Sequence, residues 1–341
     1  MEIYAKICLY TILALGISIL ALLIDNARTV KRYMLFATFM RPPTALYPLH
    51  DPRRLCVAPA GAVRLVTLDG ETLHGWVVYP TPVLGADASV TTRADQYGTV
   101  VLYLHGNGGT RGQAWRCAFY RKVSDATRAP VIAFDYRGYA DNSGTPSESG
   151  LYVDALCMWN FVRESFPAAR VVVWGHSLGS AVAVALCYEL EHRNRKPPGL
   201  PLLNPTVHPE DNETKFLVRQ TKLAAGTPAC LVLEAPLTTI QEAARSHWIT
   251  IPLRVPFLFE HVLARIPETF ASIDRVGELT VPLIVLHGRS DAVLPYSMGV
   301  ALHSAARMAP RKQLVLIDGA GHNECGAWAG TAQTVMRFVD G

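Results

Sequence analysis

The sequence predicts an α/β fold in which a mostly parallel sheet carries helices on both faces. Short apolar runs alternate with longer helical patterns from residue 99 onward, an alternation typical of this fold class. The strand runs are apolar throughout, as expected for parallel strands that are buried on both faces. The chain has 341 residues, half of them hydrophobic, which suffices for one large domain with a substantial core.

The predicted elements follow one another in order along the chain. Two strands at 63–68 and 73–79 flank Asp69-Gly70, which is a strong signal for a hairpin. Six more strands are predicted at residues 99–104, 130–135, 170–174, 230–234, 281–286 and 313–317. Helices are predicted at residues 112–126, 151–166, 177–191 and 327–339.

Two stretches interrupt the alternation within the predicted domain, which extends over residues 60–341. Residues 192–228 combine several prolines with charged side chains and predict a long exposed excursion. Residues 237–278 contain apolar groups broken by prolines, a composition that favours a lid over an apolar pocket. Helices packed on the core in the ordinary way are the alternative for this second stretch.

A membrane anchor is predicted over residues 1–41. Residues 7–24 carry no formal charge, and as a helix they would extend about 27 Å, close to the hydrocarbon thickness of a bilayer. A cleaved signal peptide is less favoured because no Ala-x-Ala site follows, and a buried core helix because the segment is apolar on all sides. Residues 42–59, rich in Pro and Arg, predict a linker to the domain.

The composition argues against two classes of function. Charged residues make up 18% of the chain and the net charge is +4, with the basic residues scattered rather than clustered as nucleic-acid binding requires. The seven cysteines form no CxxC pair or Cys/His cluster, so neither a metal nor a cofactor is predicted. The low charge content favours contact between apolar surface and a membrane or lipid.

Ser177 is the predicted nucleophile, within the pentapeptide Gly-His-Ser-Leu-Gly at 175–179. Such a pentapeptide alone arises by chance in about one chain in ten of this length. Here it follows the apolar strand run at 171–174 and precedes the helical run at 181–186. That strand–turn–helix setting is the one that a nucleophile elbow requires, and it predicts an α/β-hydrolase fold.

His322 and Asp291 are the predicted partners of Ser177. A serine hydroxyl needs a base to take its proton, and His322 lies in a loop of small residues after the last predicted strand. Asp291 follows the preceding strand, which gives the order Ser, Asp, His of this fold; its carboxylate would fix the histidine tautomer. Asp318 and Glu324 are rival acids, but both are too near His322 in sequence to face it easily.

A glycine-rich loop at 105–109, His-Gly-Asn-Gly-Gly, follows the strand at 99–104. The backbone N–H of Asn107 and that of Leu178 are the predicted oxyanion hole, which stabilises the tetrahedral intermediate. A dinucleotide-binding loop is the alternative, since the glycine spacing is one residue off that fingerprint. It is less favoured because it leaves the Ser, Asp and His residues unexplained.

At these motifs the chain resembles the membrane-anchored α/β-hydrolase domain lipases, which are monoacylglycerol and lysophosphatidylserine lipases. The resemblance covers about residues 60–340, and it implies that Ser177, Asp291 and His322 form the catalytic triad. The motifs that carry it are His-Gly-Asn-Gly-Gly at 105–109, Phe-Asp-Tyr-Arg-Gly-Tyr at 134–139, Gly-Thr-Pro-Ser-Glu at 144–148, Trp-Gly-His-Ser-Leu-Gly-Ser at 174–180 and Leu-Glu-Ala-Pro at 233–236.

The predicted function is a membrane-associated serine hydrolase that cleaves lipid esters, either monoacylglycerols or lysophospholipids. A palmitoyl-protein thioesterase with the same triad is the alternative, and a membrane-tethered binding module without catalysis is less favoured. The partners expected are the lipid ester and the membrane, with no nucleic acid.

The side of the membrane is not decided by the sequence. The basic residues that follow the apolar segment favour a cytosolic domain by the positive-inside rule. The N-glycosylation sequon at Asn212 favours the lumenal side, and so does the resemblance, which implies the endoplasmic reticulum or a related endomembrane.

Overall fold

A computed structural model describes residues 35–37, 48–55, 59–81, 97–192, 217–219, 226–246 and 269–341. Four predictions lie wholly or mostly outside these residues: the membrane span at 7–24, the glycosylation site at Asn212, most of the 192–228 excursion and the middle of the 237–278 lid. Within the described ranges, no helix is both long and apolar enough to cross a membrane.

The described strands form one sheet of nine, in the order β6-β1-β2-β4-β3-β5-β7-β8-β9. The pairs β1–β2 and β2–β4 are antiparallel, and every other neighbouring pair is parallel. The strands are β1 (Ala60–Val66), β2 (Thr72–Val78), β3 (Thr99–Leu104), β4 (Val131–Phe134), β5 (Arg170–His176), β6 (Leu217–Arg219), β7 (Cys230–Glu234), β8 (Leu283–Gly288) and β9 (Lys312–Ile317).

Helices cover both faces of this sheet. Buried side chains of α2, α3, α5 and α6 pack on one face, and those of α1 and α7 pack on the other. The predicted α/β architecture with a mostly parallel sheet is therefore confirmed. The α-helices that the structure describes in full are α1 (Ala114–Thr127), α2 (Glu148–Ser165), α3 (Leu178–His192), α4 (Ile240–Ser246), α5 (Ser272–Val276), α6 (Ser297–Ala305) and α7 (Thr331–Asp340).

The parallel strands alternate their side chains between the two cores, although each strand is apolar throughout. In β3, Leu102 belongs to the core under α2 and α3, and Tyr103 belongs to the core under α1. All six residues of β3 are buried, which explains why its sequence shows no polar alternation. The cysteines of the described ranges are thiols rather than disulfides, and all are buried in these cores: Cys117, Cys157, Cys187, Cys230 and Cys325.

Two features of the fold differ from the sequence prediction. Strand β6 lies inside the predicted excursion and pairs in parallel with β1, from Arg64 to Val66. Helix α6 is not predicted by the sequence, because it is short and contains Gly299, which lowers helix propensity. That glycine is needed there, since a Cβ atom at Gly299 would lie 2.7 Å from Nδ1 of His287.

Candidate active site

The predicted site residues meet at the carboxyl edge of the sheet. Ser177 directly follows β5, Asp291 lies in the loop after β8, and His322 lies in the loop after β9. The glycine-rich loop at 105–109 follows β3, which lies directly beside β5 in the sheet. The carboxyl ends of parallel strands are where open α/β sheets place their ligands.

Ser177 lies on a sharp turn between β5 and α3. Its φ angle is +51°, a left-handed conformation that a non-glycine residue adopts only when its surroundings impose it. The turn is held by the Ser177 N–H, which donates to the Glu234 carbonyl at 2.9 Å. Side chains at Gly175 and Gly179 would overlap neighbouring backbone atoms, so the strand and the helix pack at a distance that only glycine permits.

Ser177, His322 and Asp291 form a continuous chain of hydrogen bonds. The Ser177 Oγ lies 3.0 Å from Nε2 of His322, and Nδ1 of His322 lies 2.8 Å from Oδ2 of Asp291. These contacts place the predicted base between the predicted nucleophile and acid, which is the geometry that activates a serine hydroxyl. The rival acids are engaged elsewhere: Asp318 pairs with Arg289, and Glu324 accepts the N–H of Gly321.

Asp291 is held in its ionised form. Burial alone would raise its pKa, but hydrogen bonds from His287 and His322 hold the pKa well below the usual range. Its second oxygen, Oδ1, accepts the backbone N–H groups of Val293 at 2.8 Å and Leu294 at 2.9 Å. His287, which sequence reasoning does not single out, lies with Nε2 3.2 Å from the same Oδ2 that faces His322.

The glycine-rich loop packs directly against the nucleophile. A Cβ atom at Gly106 would lie 3.0 Å from the Cβ of Ser177, so Asn107 is the next residue after a close backbone contact with the nucleophile. Leu178 is the first residue of α3, where backbone N–H groups have no partner within the helix. The N–H groups of Asn107 and Leu178, the predicted oxyanion donors, thus belong to the two chain segments that meet at Ser177.

Arg116 in the first turn of α1 fixes the shape of this loop. The buried guanidinium donates to the carbonyl groups of Gly106 at 3.1 Å, Gly108 at 3.0 Å and Thr110 at 2.9 Å. Because a trans peptide directs its C=O and N–H to opposite sides, the bond to Gly106 turns the Asn107 N–H away from Arg116. An arginine in the first turn of the helix that follows the glycine-rich loop is the signal that could have indicated this residue.

His176, next to the nucleophile, supports the loop that carries the base. Its Nε2–H donates to the backbone carbonyl of His322 at 3.0 Å. Burial, together with the nearby His322, lowers the pKa of His176 to about 3. His176 therefore stays neutral and keeps the tautomer in which Nε2 is the donor.

Glu234, the last residue of β7, joins the nucleophile turn to the loop of the base. Its buried carboxylate accepts the indole N–H of Trp174 at 2.8 Å and the backbone N–H of Gly326 at 2.6 Å. Its own carbonyl accepts the N–H of Ser177. Burial raises the pKa of Glu234 to about 7.

Comparison with known proteins finds hydrolases and their relatives over most of the described domain. The Hydrolase_4 family model, described as serine aminopeptidase, S33, matches residues 95–325. The lysophosphatidylserine lipase ABHD12 of Danio rerio is 33% identical over 61% of this chain and 47% of its own length. An uncharacterized protein of Mycobacterium tuberculosis is 31% identical over 80% of this chain and 76% of its own.

A solved structure shows the same fold. The alpha-beta hydrolase of Vibrio vulnificus superimposes with a TM-score of 0.61 at 17% identity, covering 90% of this chain and 91% of that one. The chain spans about half the length of the lysophosphatidylserine lipases that it matches.

Proposed function

The chain belongs to the Hydrolase_4 family (serine aminopeptidase, S33) and is a serine hydrolase, and from this premise we propose that it cleaves lipid esters at a membrane. The substrates proposed are monoacylglycerols or lysophospholipids. The observation that carries the proposal is the hydrogen-bond chain from Ser177 through His322 to Asp291, with distances of 3.0 and 2.8 Å. The lipid substrate is supported by the similarity to lysophosphatidylserine lipases and by the low charge content.

In the acylation step, Ser177 attacks the ester carbonyl carbon while His322 takes the hydroxyl proton at Nε2. Asp291 stays ionised and stabilises the imidazolium that forms. The tetrahedral oxyanion accepts the backbone N–H groups of Leu178 and Asn107, and each such donor is worth about a hundredfold or more in rate. His322 then protonates the leaving glycerol oxygen, and the C–O bond breaks to leave the acyl group on Ser177.

In deacylation His322 is again the base, and water takes the place of Ser177 as the nucleophile. His322 takes a proton from water, and the resulting hydroxide attacks the acyl carbon. The second tetrahedral intermediate collapses, the fatty acid leaves, and the proton on His322 returns to the Ser177 oxygen. Within the chain, protons move only between the Ser177 oxygen and His322, which also exchanges them with the leaving alcohol and with water; Asp291 and the two N–H donors stabilise charge without transferring a proton.

The test is a substrate panel on the full chain in detergent micelles, with wild type compared with Ser177→Ala. The panel contains a monoacylglycerol, a lysophospholipid, a palmitoyl thioester and an aminoacyl p-nitroanilide. Fatty-acid release from the first two that is abolished in Ser177→Ala is the expected result. Activity that persists in Ser177→Ala would overturn the mechanism, and turnover of the thioester or the anilide alone would overturn the substrate class.

The proposed location is an endomembrane, with a single span at 7–24 and the catalytic domain on the lumenal side. The sequon at Asn212 supports this side of the membrane. Expression in a eukaryotic cell should give an alkali-resistant membrane protein whose mass falls on endoglycosidase treatment, and Asn212→Gln should abolish that shift. An unglycosylated chain whose domain is digested by protease added outside sealed microsomes would overturn the lumenal assignment.

A further inference from the structure

Residues 35–37 lie against the edge of the sheet that carries the site. The backbone carbonyl of Leu35 accepts a hydrogen bond of 2.5 Å from the side-chain amide of Asn107. The Phe36 side chain is fully buried and packs edge-to-face on Phe270, with ring centroids 6.1 Å apart. A segment far from the triad in sequence therefore contacts the glycine-rich loop directly.

The side chain of Asn107 is fixed at both ends although the residue is exposed. Its Oδ1 accepts the hydroxyl of Tyr139 at 2.9 Å and the N–H of Gly108 at 2.9 Å, while its amide donates to Leu35. An exposed amide can form its hydrogen bonds with water, so Asn107 does not need protein partners to avoid an unsatisfied polar group. The main effect of its three hydrogen bonds to protein groups is therefore to restrict the conformation of the loop. The peptide that carries the Asn107 N–H is held from its other side by Arg116, through the Gly106 carbonyl.

We propose that residues 35–37 are a positioning segment of the active site, which holds the oxyanion loop in its reactive shape through the Asn107 side chain. This rests on the proposed function, because it takes the Asn107 N–H as an oxyanion donor. Phe36 supplies the fixed end of the contact, since its burial against Phe270 prevents Leu35 from moving with the loop. Asn107 then has two separate roles: its backbone N–H binds the oxyanion of the substrate, and its side chain bonds to Leu35 and holds the loop.

The segment also limits how far the site lies from the proposed anchor. Ten residues separate residue 24 from Leu35, and a fully extended chain of this length reaches about 40 Å at most. If 7–24 spans the bilayer, the oxyanion loop is tied to a point within that distance of the membrane. Membrane attachment and the geometry of the oxyanion hole are then linked through one short stretch of chain.

The test compares Phe36→Ala, Asn107→Ala and the double variant on the full chain. A water-soluble ester, p-nitrophenyl acetate, gives kcat and KM. A trifluoromethyl ketone, to which Ser177 adds as a hemiketal oxyanion, gives an inhibition constant that reports the oxyanion hole. Each single variant is expected to lower kcat about tenfold with KM within about twofold, and to weaken the ketone by a similar factor.

The double variant decides whether Phe36 acts through Asn107. If it does, the double variant is no slower than Asn107→Ala, whereas independent effects would multiply. Phe166→Ala is the matched control, since it removes a buried phenylalanine of the same core and should lower the unfolding temperature without changing kcat or ketone affinity. Phe36→Leu keeps most of the buried volume but loses the edge-to-face contact with Phe270. It is expected to lower kcat and ketone affinity by a smaller factor than Phe36→Ala, and it covers the case in which Phe36→Ala does not fold.

Three results would overturn the positioning role. These are an unchanged ketone affinity in folded Phe36→Ala, a multiplicative double variant, or a kcat in Phe36→Leu and Asn107→Ala equal to that of wild type. The proposed function fails by a different result, namely esterase activity that survives Ser177→Ala. The two failures are therefore distinguishable in the same assay.

Discussion

At the scale of single residues, Asp291, the proposed acid of the triad, has its orientation fixed by the backbone. One oxygen of Asp291 accepts the N–H groups of Val293 and Leu294, and this leaves the other for Nδ1–H of His322. In Asp291→Asn the backbone donors hold the amide oxygen, so the NH₂ group faces His322. The imidazole ring of His322 then carries its proton on Nε2, so Nε2 cannot accept the proton of the Ser177 hydroxyl.

Asp291→Asn is therefore expected to lower kcat by about 10³- to 10⁴-fold with a small change in KM. Steady-state kinetics on a short-chain ester measures both constants. Asp318→Asn is the control, because Asp318 is the rival acid of the sequence, is highly exposed and pairs with Arg289; its kcat should stay within twofold. Equal losses in the two variants would mean that Asp291 is not the acid.

Glu234 gives a prediction about stability and pH. Burial raises its pKa from the ordinary 4.5 to about 7, so between these pH values the folded chain binds a proton that the unfolded chain has lost. Stability contributed by this group therefore falls as pH rises through that window, by about 3 kcal/mol in total. Glu234→Gln cannot ionise and lacks this loss.

The free energy of unfolding of Glu234→Gln minus that of wild type should thus increase by about 2–3 kcal/mol between pH 5 and pH 8, because only wild type loses stability in this window. Urea titrations of both proteins at the two pH values measure it, and taking the difference cancels the other titrating groups. A difference that does not vary with pH would show that Glu234 titrates in its ordinary range.

The order Ser, Asp, His along the chain predicted three residues that the structure places in one hydrogen-bond chain, but it did not indicate the residues that hold them. Glu234 accepts a hydrogen bond from the N–H of Gly326, which is 92 positions away. His176 donates one to the carbonyl of His322, which is 146 positions away. Such contacts form only when parallel strands bring distant loops together, and no local sequence pattern predicts which side chain will bond to which loop. Arg116 has a local signal, but its three acceptors depend on the folded shape of the loop.

At the scale of elements, apolar runs located the strands because both faces of the sheet are covered. The run at 99–104 coincides with β3, and that at 230–234 coincides with β7. Strand β6 has only three residues and lies in a proline-rich stretch, so its pairing with β1 is a tertiary effect that propensity does not reveal. Helix α6 was missed because its glycine serves packing on His287 rather than helix formation.

The close packing of α3 on the sheet predicts opposite outcomes for two glycine substitutions. A Cβ atom at Gly179 would overlap the backbone carbonyl of Leu104, and backbone atoms of a central strand cannot move aside. Gly179→Ala should therefore cost about 3 kcal/mol or more, or prevent folding. Gly61→Ala in β1 is the matched control, because the space around its Cβ is open.

Thermal unfolding and the yield of soluble protein measure both variants. Gly61→Ala should keep the wild-type unfolding temperature within about 3 °C, or raise it slightly. A Gly179→Ala protein as stable as wild type would show that α3 does not start where the structure places it.

At the scale of the whole molecule, the segment between α4 and α5 enters and leaves the domain at one point. The N–H of Ile240 donates to the carbonyl of Thr269 at 2.9 Å, and that of Ile273 donates to Thr238 at 3.3 Å. The Glu148 carboxylate accepts the N–H of Thr269 at 2.7 Å. Because both ends are hydrogen-bonded to each other and, through Glu148, to α2, we expect the domain to fold without residues 247–268.

Replacement of residues 247–268 by a short Gly-Ser linker should therefore leave the domain folded, with the unfolding temperature within about 5 °C of wild type. If the segment is the predicted lid over an apolar pocket, hydrolysis of long-chain esters should fall at least tenfold, since each buried methylene contributes about 0.8 kcal/mol. Hydrolysis of an acetyl ester, which has little chain to bury, should change less than threefold. An acyl-length series on the two proteins separates the alternatives: an unchanged chain-length profile would exclude the lid, and a variant that fails to fold would favour helices packed on the core.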